Sequence, residues 1–145
     1  MKKILVIYSG GLDSFTLLNK AILEGNYVEA ISFDYGQKHF KELDFAKNVC
    51  SDNQINHKIV KLKLDDILSD SALVGEKAIP KGNYDKEQMK QTVVPNRNMI
   101  MISIAASLAI KNNLNTLWYA AHAGDHEIYP DCRPEFIDSL AAVLE

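Results

Sequence analysis

The sequence predicts an α/β protein built on a doubly wound parallel sheet, and three observations carry that expectation. Short apolar runs alternate with amphipathic stretches along the chain, the pattern of strands separated by crossover helices. The first run, Ile4-Leu5-Val6-Ile7, passes directly into Tyr8-Ser9-Gly10-Gly11-Leu12-Asp13-Ser14, a strand that turns through two glycines into a helix. The segments richest in polar chemistry each follow a predicted strand, at the carboxyl ends where ligands bind in open α/β sheets.

Element by element, Ile4 to Tyr8 reads as the first strand. Ser14 to Glu24 reads as a helix, with Leu17, Leu18, Ala21 and Ile22 on one face and Gly25 as its stop. Val28 to Tyr35 is the second strand. His39 to Ser51 is the second helix, with Phe40, Leu43, Ala46, Val49 and Cys50 at helical spacing. Lys58 to Leu64 is the third strand. From Asp65 to Pro95 the pattern weakens: Asp66 to Ser69 fits one helical turn, and residues from about 70 to 95, with Gly75, Pro80 and Gly82, read as a long loop, a length that is uncommon unless functional or mobile. Asn98 to Asn112 is an apolar helix, Thr116 to Ala121 a strand, and His122 to Pro130 a loop. Pro134 to Leu144 is a final helix with proline in its first turn. There are no repeats, and residues 1–145 read as a single domain.

Composition narrows the class. The 145 residues are 47% hydrophobic, enough for a packed core. Sixteen basic against nineteen acidic side chains leave a net charge of −3, so there is no global basic footprint and no direct nucleic-acid partner is expected. Lys58, Lys61 and Lys63 are candidates for a local basic patch, Lys61 and Lys63 sharing a strand face; a solvated strand edge is the plainer reading. No stretch approaches the ~20 apolar residues that span a bilayer, since Met99 to Ile110 is interrupted by Ser103 and Ser107. No signal peptide is visible, and two cysteines without a CxxC pair fit a reduced, cytoplasmic protein.

The junction at 8–14 carries the most chemistry. A helix start leaves backbone N–H groups without partners at its positive end, and glycines let an anion approach closely, which makes a site for phosphate or pyrophosphate. It is not the common phosphate loop, which needs four residues between its glycines and a following Lys-Ser/Thr. The alternative is an ordinary strand-to-helix turn with Asp13 or Ser14 as N-cap. Asp34-Tyr35-Gly36 follows the second strand, where the ribose and base of a bound nucleotide would lie, or is an ordinary polar loop. Arg97, in Pro95-Asn96-Arg97-Asn98, opposes the dipole of the helix it enters. This points to a task in binding phosphate or carboxylate, unless Arg97 only pairs with a loop acid. Residues 122–134, His-Ala-Gly-Asp-His-Glu-Ile-Tyr-Pro-Asp-Cys-Arg-Pro, form the densest polar run. His122 and His126 have metal-ligand spacing if helical, but Gly124 and Pro130 argue for a loop. A carboxylate here could accept hydrogen bonds from a heterocycle, and Arg133 could pair with a substrate carboxylate. Cys132 is a nucleophile candidate without a visible activating partner, and Cys50 lies on an apolar helix face.

Ser-Gly-Gly-x-Asp-Ser resembles the signature of the N-type ATP pyrophosphatases, which cleave ATP between its α and β phosphates. Taken with Val94-Pro95-Asn96-Arg97-Asn98, residues 122–136 and Phe33 to Gln37, it resembles more narrowly the 7-cyano-7-deazaguanine synthase family of queuosine biosynthesis. That resemblance runs from Lys3 to the C-terminus and implies a Rossmann-like, three-layer α/β/α fold. It implies a ligase-type enzyme that uses ATP and ammonia to convert 7-carboxy-7-deazaguanine into the nitrile. By resemblance, Tyr8, Ser9, Gly10, Gly11, Leu12, Asp13, Ser14, Phe15, Thr16, Leu17 and Leu18 form the ATP loop, with Mg²⁺ on the phosphates, and Asp34 and Tyr35 lie beside the nucleotide. Asp13, Ser14 and Arg97 are assigned to catalysis. Arg97, Asn98, His122, Asp125, Tyr129, Asp131 and Arg133 are assigned to the deazaguanine by position and chemistry. The family also carries a zinc site of four cysteines, which neither Cys50 nor Cys132 matches, so the chain is expected to be truncated relative to the family. The competing readings are another N-type ATP pyrophosphatase, such as a tRNA-thiolating enzyme, and a nucleotide-binding module or partner subunit without full catalysis. A homodimer is left open.

Overall fold

The computed structural model describes residues 1–36, 40–63, 96–120 and 133–145. The expected helical turn at 66–69, the long loop at about 70–95 and the polar run up to residue 132 lie outside the described residues. In chain order the elements are β1 (Lys3–Ile7), α1 (Leu12–Leu23), β2 (Tyr27–Asp34), α2 (Phe40–Asp52), β3 (Asn56–Lys61), α3 (Arg97–Lys111), β4 (Thr116–Trp118) and α4 (Pro134–Leu144).

The strands form one parallel sheet in the order β3-β2-β1-β4. β1 is apolar on both sides because both sides are covered. Ile4, Val6 and Tyr8 pack with Val28 and Ala30 of β2, Leu18 and Ala21 of α1, and Ala46 and Cys50 of α2. The alanines at these contacts let helix and sheet approach closely. Side chains alternate across a strand, so Leu5, Glu29, Ile31 and Phe33 face the other side. There Asn112, just past α3, donates to the buried Glu29 carboxylate at 2.8 Å. Right-handed crossovers place α1 and α2 on one face, and the reversal of strand order that brings β4 to the far side of β1 places α3 on the other. The expected three-layer, doubly wound α/β/α architecture is the one observed.

The chain forms two compact units. The first comprises Met1–Asp34, His39–Lys61 and Met101–Ala120 and contains the sheet; the second comprises Tyr35–Lys38, Leu62–Ile100 and Ala121–Glu145. Within the second, α4 begins with Pro134 after Arg133 as N-cap and buries Leu140.

Three elements differ from the sequence reading by two residues or more, and the others by at most one. α1 starts two residues before Ser14, because Gly11 caps it. β4 stops at Trp118 instead of Ala121, because its ladder with β1 runs only from Ile4↔Thr116 to Val6↔Trp118. β3 stops at Lys61, opposite the end of β2 at Asp34, so Lys63 lies beyond the strand and does not share a strand face with Lys61.

Candidate functional site

All four strands point the same way, so β1 delivers its chain to the carboxyl edge of the sheet between β2 and β4. This is the switch point where open α/β sheets bind ligands. The chain is fixed there before it turns. Tyr8 N–H donates to Ile31 O at 2.8 Å, and the buried Ser32 hydroxyl donates to Tyr8 O. Ser32 Oγ also lies 2.7 Å from His57 Nε2. With the hydroxyl proton committed to Tyr8, the imidazole must be the donor in that contact. The Tyr8 side chain is fully buried, its hydroxyl meets no partner among the described residues, and burial, then the neighbouring Cys50, push its pKa up to about 12.

Gly10 takes φ +90°, a conformation that side chains rarely adopt. It also lies against the first turn of α2: a Cβ there would be driven into the Glu42 carbonyl oxygen and stand 2.7 Å from the Glu42 carbonyl carbon. Gly11 then extends (φ −77°, ψ 169°) as the N-cap of α1, and its carbonyl accepts from Phe15 N–H at 2.9 Å. No side chain caps the helix. The N–H groups of Leu12, Asp13 and Ser14 therefore have no helical acceptor and lie at the positive pole of α1, the kind of helix end at which anions bind.

Ser14 is not the N-cap, which is Gly11. It is 6% exposed, and its hydroxyl is spent inside the turn. It donates to Gly11 O at 3.2 Å, accepts from Ser9 N–H at 3.2 Å and lies 3.0 Å from Ser9 Oγ, while Ser9 Oγ accepts from Gly11 N–H at 3.2 Å. Ser9 and Ser14 thus brace the turn from within. Asp13 is exposed at the helix start beside Leu12, which is 79% exposed. Leu18 is buried and Phe15 and Leu17 pack against the core, while Thr16 is exposed and donates back to Leu12 O at 3.0 Å. Tyr8 and Leu18 have no side-chain surface to offer a nucleotide, so any contact from them would be main-chain.

Asp34 ends β2 on the same sheet edge, half-buried. In the second unit Tyr35 is buried and Gly36 turns at φ +84°. Arg97 is the first residue of α3, after Asn96 at φ +57°, and both Arg97 and Asn98 are half-buried. Arg133 is the exposed N-cap of α4. His122, Asp125, Tyr129 and Asp131 lie outside the described residues. The sequence reading missed Ser32, His57 and Glu42. A serine inside the apolar run Ala30 to Phe33 was the available signal for the first; an acid on a polar helix face gives none for Glu42.

The chemistry of the donors separates the two metals. Asp13 is an exposed hard oxygen donor at the anion end of α1, which suits Mg²⁺. Zinc is not fitted by the described residues, among which no three His, Cys, Asp or Glu groups come together. Cys50 is buried and burial pushes its thiol up to about 11, whereas zinc needs a thiolate.

The profile of the family described as queuosine biosynthesis protein QueC matches residues 3–145. The chain is 55% identical over 139 residues to 7-cyano-7-deazaguanine synthase 2 of Colwellia psychrerythraea, covering 94% of this chain and 64% of that protein. It is 50% identical to synthase 1 of the same organism, covering 99% and 66%, and 51% identical to the Alteromonas mediterranea synthase, covering 96% and 64%. The chain thus spans about two thirds of the length of these relatives. Among solved structures, a predicted subunit of tRNA methyltransferase from Methanocaldococcus jannaschii superposes over 99% of this chain and 64% of its own, with TM-score 0.61 and 16% identity. The NH3-dependent NAD synthetase of Campylobacter jejuni superposes over 84% and 48%, with TM-score 0.53 and 15% identity. At these identities the likeness concerns the fold.

Proposed function

The chain belongs to the QueC family of queuosine biosynthesis proteins, and from that premise we propose that it carries the ATP-activating part of an enzyme that makes 7-cyano-7-deazaguanine from 7-carboxy-7-deazaguanine and ammonia. The observation that carries this reading is the uncapped start of α1 behind the Gly10-Gly11 turn, at the switch point of the sheet.

A carboxylate resists attack by ammonia because its leaving group would be oxide. Transfer of AMP from ATP to the carboxylate oxygen, with release of pyrophosphate, replaces oxide with AMP, and ammonia then gives the amide. A second transfer to the amide oxygen lets it leave as AMP and yields the nitrile. The chain's task is to hold the triphosphate in line and stabilise the charge that develops on it. The N–H groups of Leu12 to Ser14 bind the phosphates. Ser9 and Ser14 keep the turn rigid, Asp34 and Tyr35 are assigned to the nucleoside, and Asp13 would hold Mg²⁺, which would neutralise phosphate charge. Arg97 binds the carboxylate or the phosphate it receives, and Asn98, His122, Asp125, Tyr129, Asp131 and Arg133 recognise the deazaguanine. Cytoplasmic residence suits these substrates; among the described residues no helix is long and apolar enough to cross a membrane.

The test is an incubation of the 145-residue chain with ATP, Mg²⁺, ammonium and 7-carboxy-7-deazaguanine, with AMP read by chromatography and the nitrile by mass spectrometry. Substrate-dependent AMP release that is lost in Asp13→Ala is the expected result. ATP bound without any AMP release would reduce the chain to a nucleotide-binding module, and a folded chain that binds no ATP would overturn the reading of the turn.

A further inference from the structure

We propose that Glu42 is a specificity-determining residue that makes the Ser9–Ser14 turn select a metal-complexed nucleoside triphosphate over the metal-free polyanion. The inference rests on the reading of that turn as a phosphate site and adds to it a residue from a different element.

The placement of Glu42 follows from how α2 meets the turn. Gly10 has no side chain, and the main chain of Glu42 fills the space a Cβ would take: its carbonyl oxygen is in contact there, its carbonyl carbon is 2.7 Å away and its Cα 3.2 Å away. This close approach fixes the root of the Glu42 side chain against the glycines. The carboxylate then reaches the next residue. From the point where a Cβ of Gly11 would stand, Oε2 lies at 3.8 Å and Oε1 at 3.9 Å, with Ser9 Oγ at 3.4 Å. A carboxylate is therefore held beside the N-cap of the helix end that offers its N–H groups to an anion. No cation balances it among the described residues, where the ion pairs join Lys20 to Glu24 and Lys47 to Asp44.

Coulomb repulsion at this range acts on any bare phosphate that approaches Gly11. A free triphosphate carries about four negative charges, and one Mg²⁺ removes two, so the same carboxylate penalises the free form more than the complex. Glu42 is thus a charge filter, acting through the nucleotide's metal content without touching the base or the ribose. The plainer role, an acid favouring the positive end of its own helix, predicts an effect on stability and none on the ratio of the two affinities.

The test compares the wild-type chain with Glu42→Gln, which keeps size and removes charge, and with Glu24→Gln, which makes the same change of net charge at the far end of α1. Dissociation constants for ATP are measured by calorimetry at low ionic strength, once with excess Mg²⁺ and once with a chelator. Glu42→Gln is expected to tighten metal-free ATP roughly fivefold, the range of a single exposed charge pair, to change Mg²⁺-ATP less, and to lose the gain at high salt; Glu24→Gln leaves the ratio as in wild type. A ratio unchanged in Glu42→Gln, or shifted equally in Glu24→Gln, overturns the inference while leaving the phosphate site intact. Absence of ATP binding in all three folded proteins overturns the phosphate site, and the inference with it.

Discussion

Substituting the two adjacent glycines one at a time separates a structural need from a functional one. Gly10→Ala meets two penalties. An L-residue at φ +90° costs about 1–2 kcal/mol, and a methyl driven into the Glu42 carbonyl forces a backbone shift of the overpacking kind, about 1–3 kcal/mol. The sum, roughly 2–5 kcal/mol, is a large share of the 5–15 kcal/mol by which domains are stable. At about 3–4 °C per kcal/mol for a chain of this size, it lowers Tm by on the order of 10 °C. Gly11→Ala meets neither. Its φ of −77° suits any residue and its methyl would lie 3.4 Å from Ser9 Oγ, so the cost is that of alanine at an N-cap, under about 1 kcal/mol relative to glycine. That methyl does cover the approach to the N–H groups of α1. Urea denaturation and ATP binding on both variants therefore give opposite patterns: Gly10→Ala loses stability first, Gly11→Ala loses ATP affinity in a chain of nearly wild-type stability. A Gly10→Ala chain as stable as wild type would refute the packing argument, and with it the fixed position of Glu42.

Ser32→Ala removes the hydroxyl shared by Tyr8 O and His57 Nε2 and leaves both without their partner. A loss of about 1–3 kcal/mol in urea denaturation is expected, and Ser32→Thr, which keeps the hydroxyl, recovers part of it. Burial, then the charge of Lys47, hold His57 below its ordinary 6.5. The unfolded chain thus binds the proton more readily, and stability falls as pH drops through and below 6.5; urea midpoints between pH 7.5 and 5.5 show this slope, and His57→Gln flattens it. Burial holds the Cys50 thiol protonated up to about 11, against 9.0 unfolded, so the unfolded chain loses its proton first and stability declines between those values. Cys50→Ala, compared at pH 8 and pH 10.5, removes part of that alkaline loss.

Much of this molecule is legible from periodicity and turn chemistry alone. The apolar run at Ile4–Ile7, the helical spacing of Leu17 to Ile22 and the proline of α4 each announce an element, because each pattern acts within a few residues. What was misread depends on partners far along the chain. Thr116 to Ala121 has strand character throughout, but β4 is only as long as the stretch of β1 it can pair with. Gly10 and Gly11 look alike as letters; only the arrival of α2 shows that the first makes room for a helix while a methyl at the second would meet ordinary contacts. Glu42 carries no local mark, since its significance lies in what its backbone packs against.

The central position of β1 also orders the events by which the chain reaches its structure. One neighbour, β2, is close: the Lys2 N–H finds Asn26 across 24 residues. The other is distant: the Lys3 N–H finds Asn115 across 112. Bringing the more distant ends together costs about 1.4 kcal/mol more in loop entropy, and that contact waits on synthesis of the intervening chain. The β1–α1–β2 half, with the glycine turn in it, can therefore assemble as the chain emerges, while β4 docks last. The single tryptophan, Trp118, lies on that late strand with Lys20 of α1 5.9 Å from its ring. Its fluorescence in refolding is accordingly a clock for the final step, lagging the amide protection of β1 and β2.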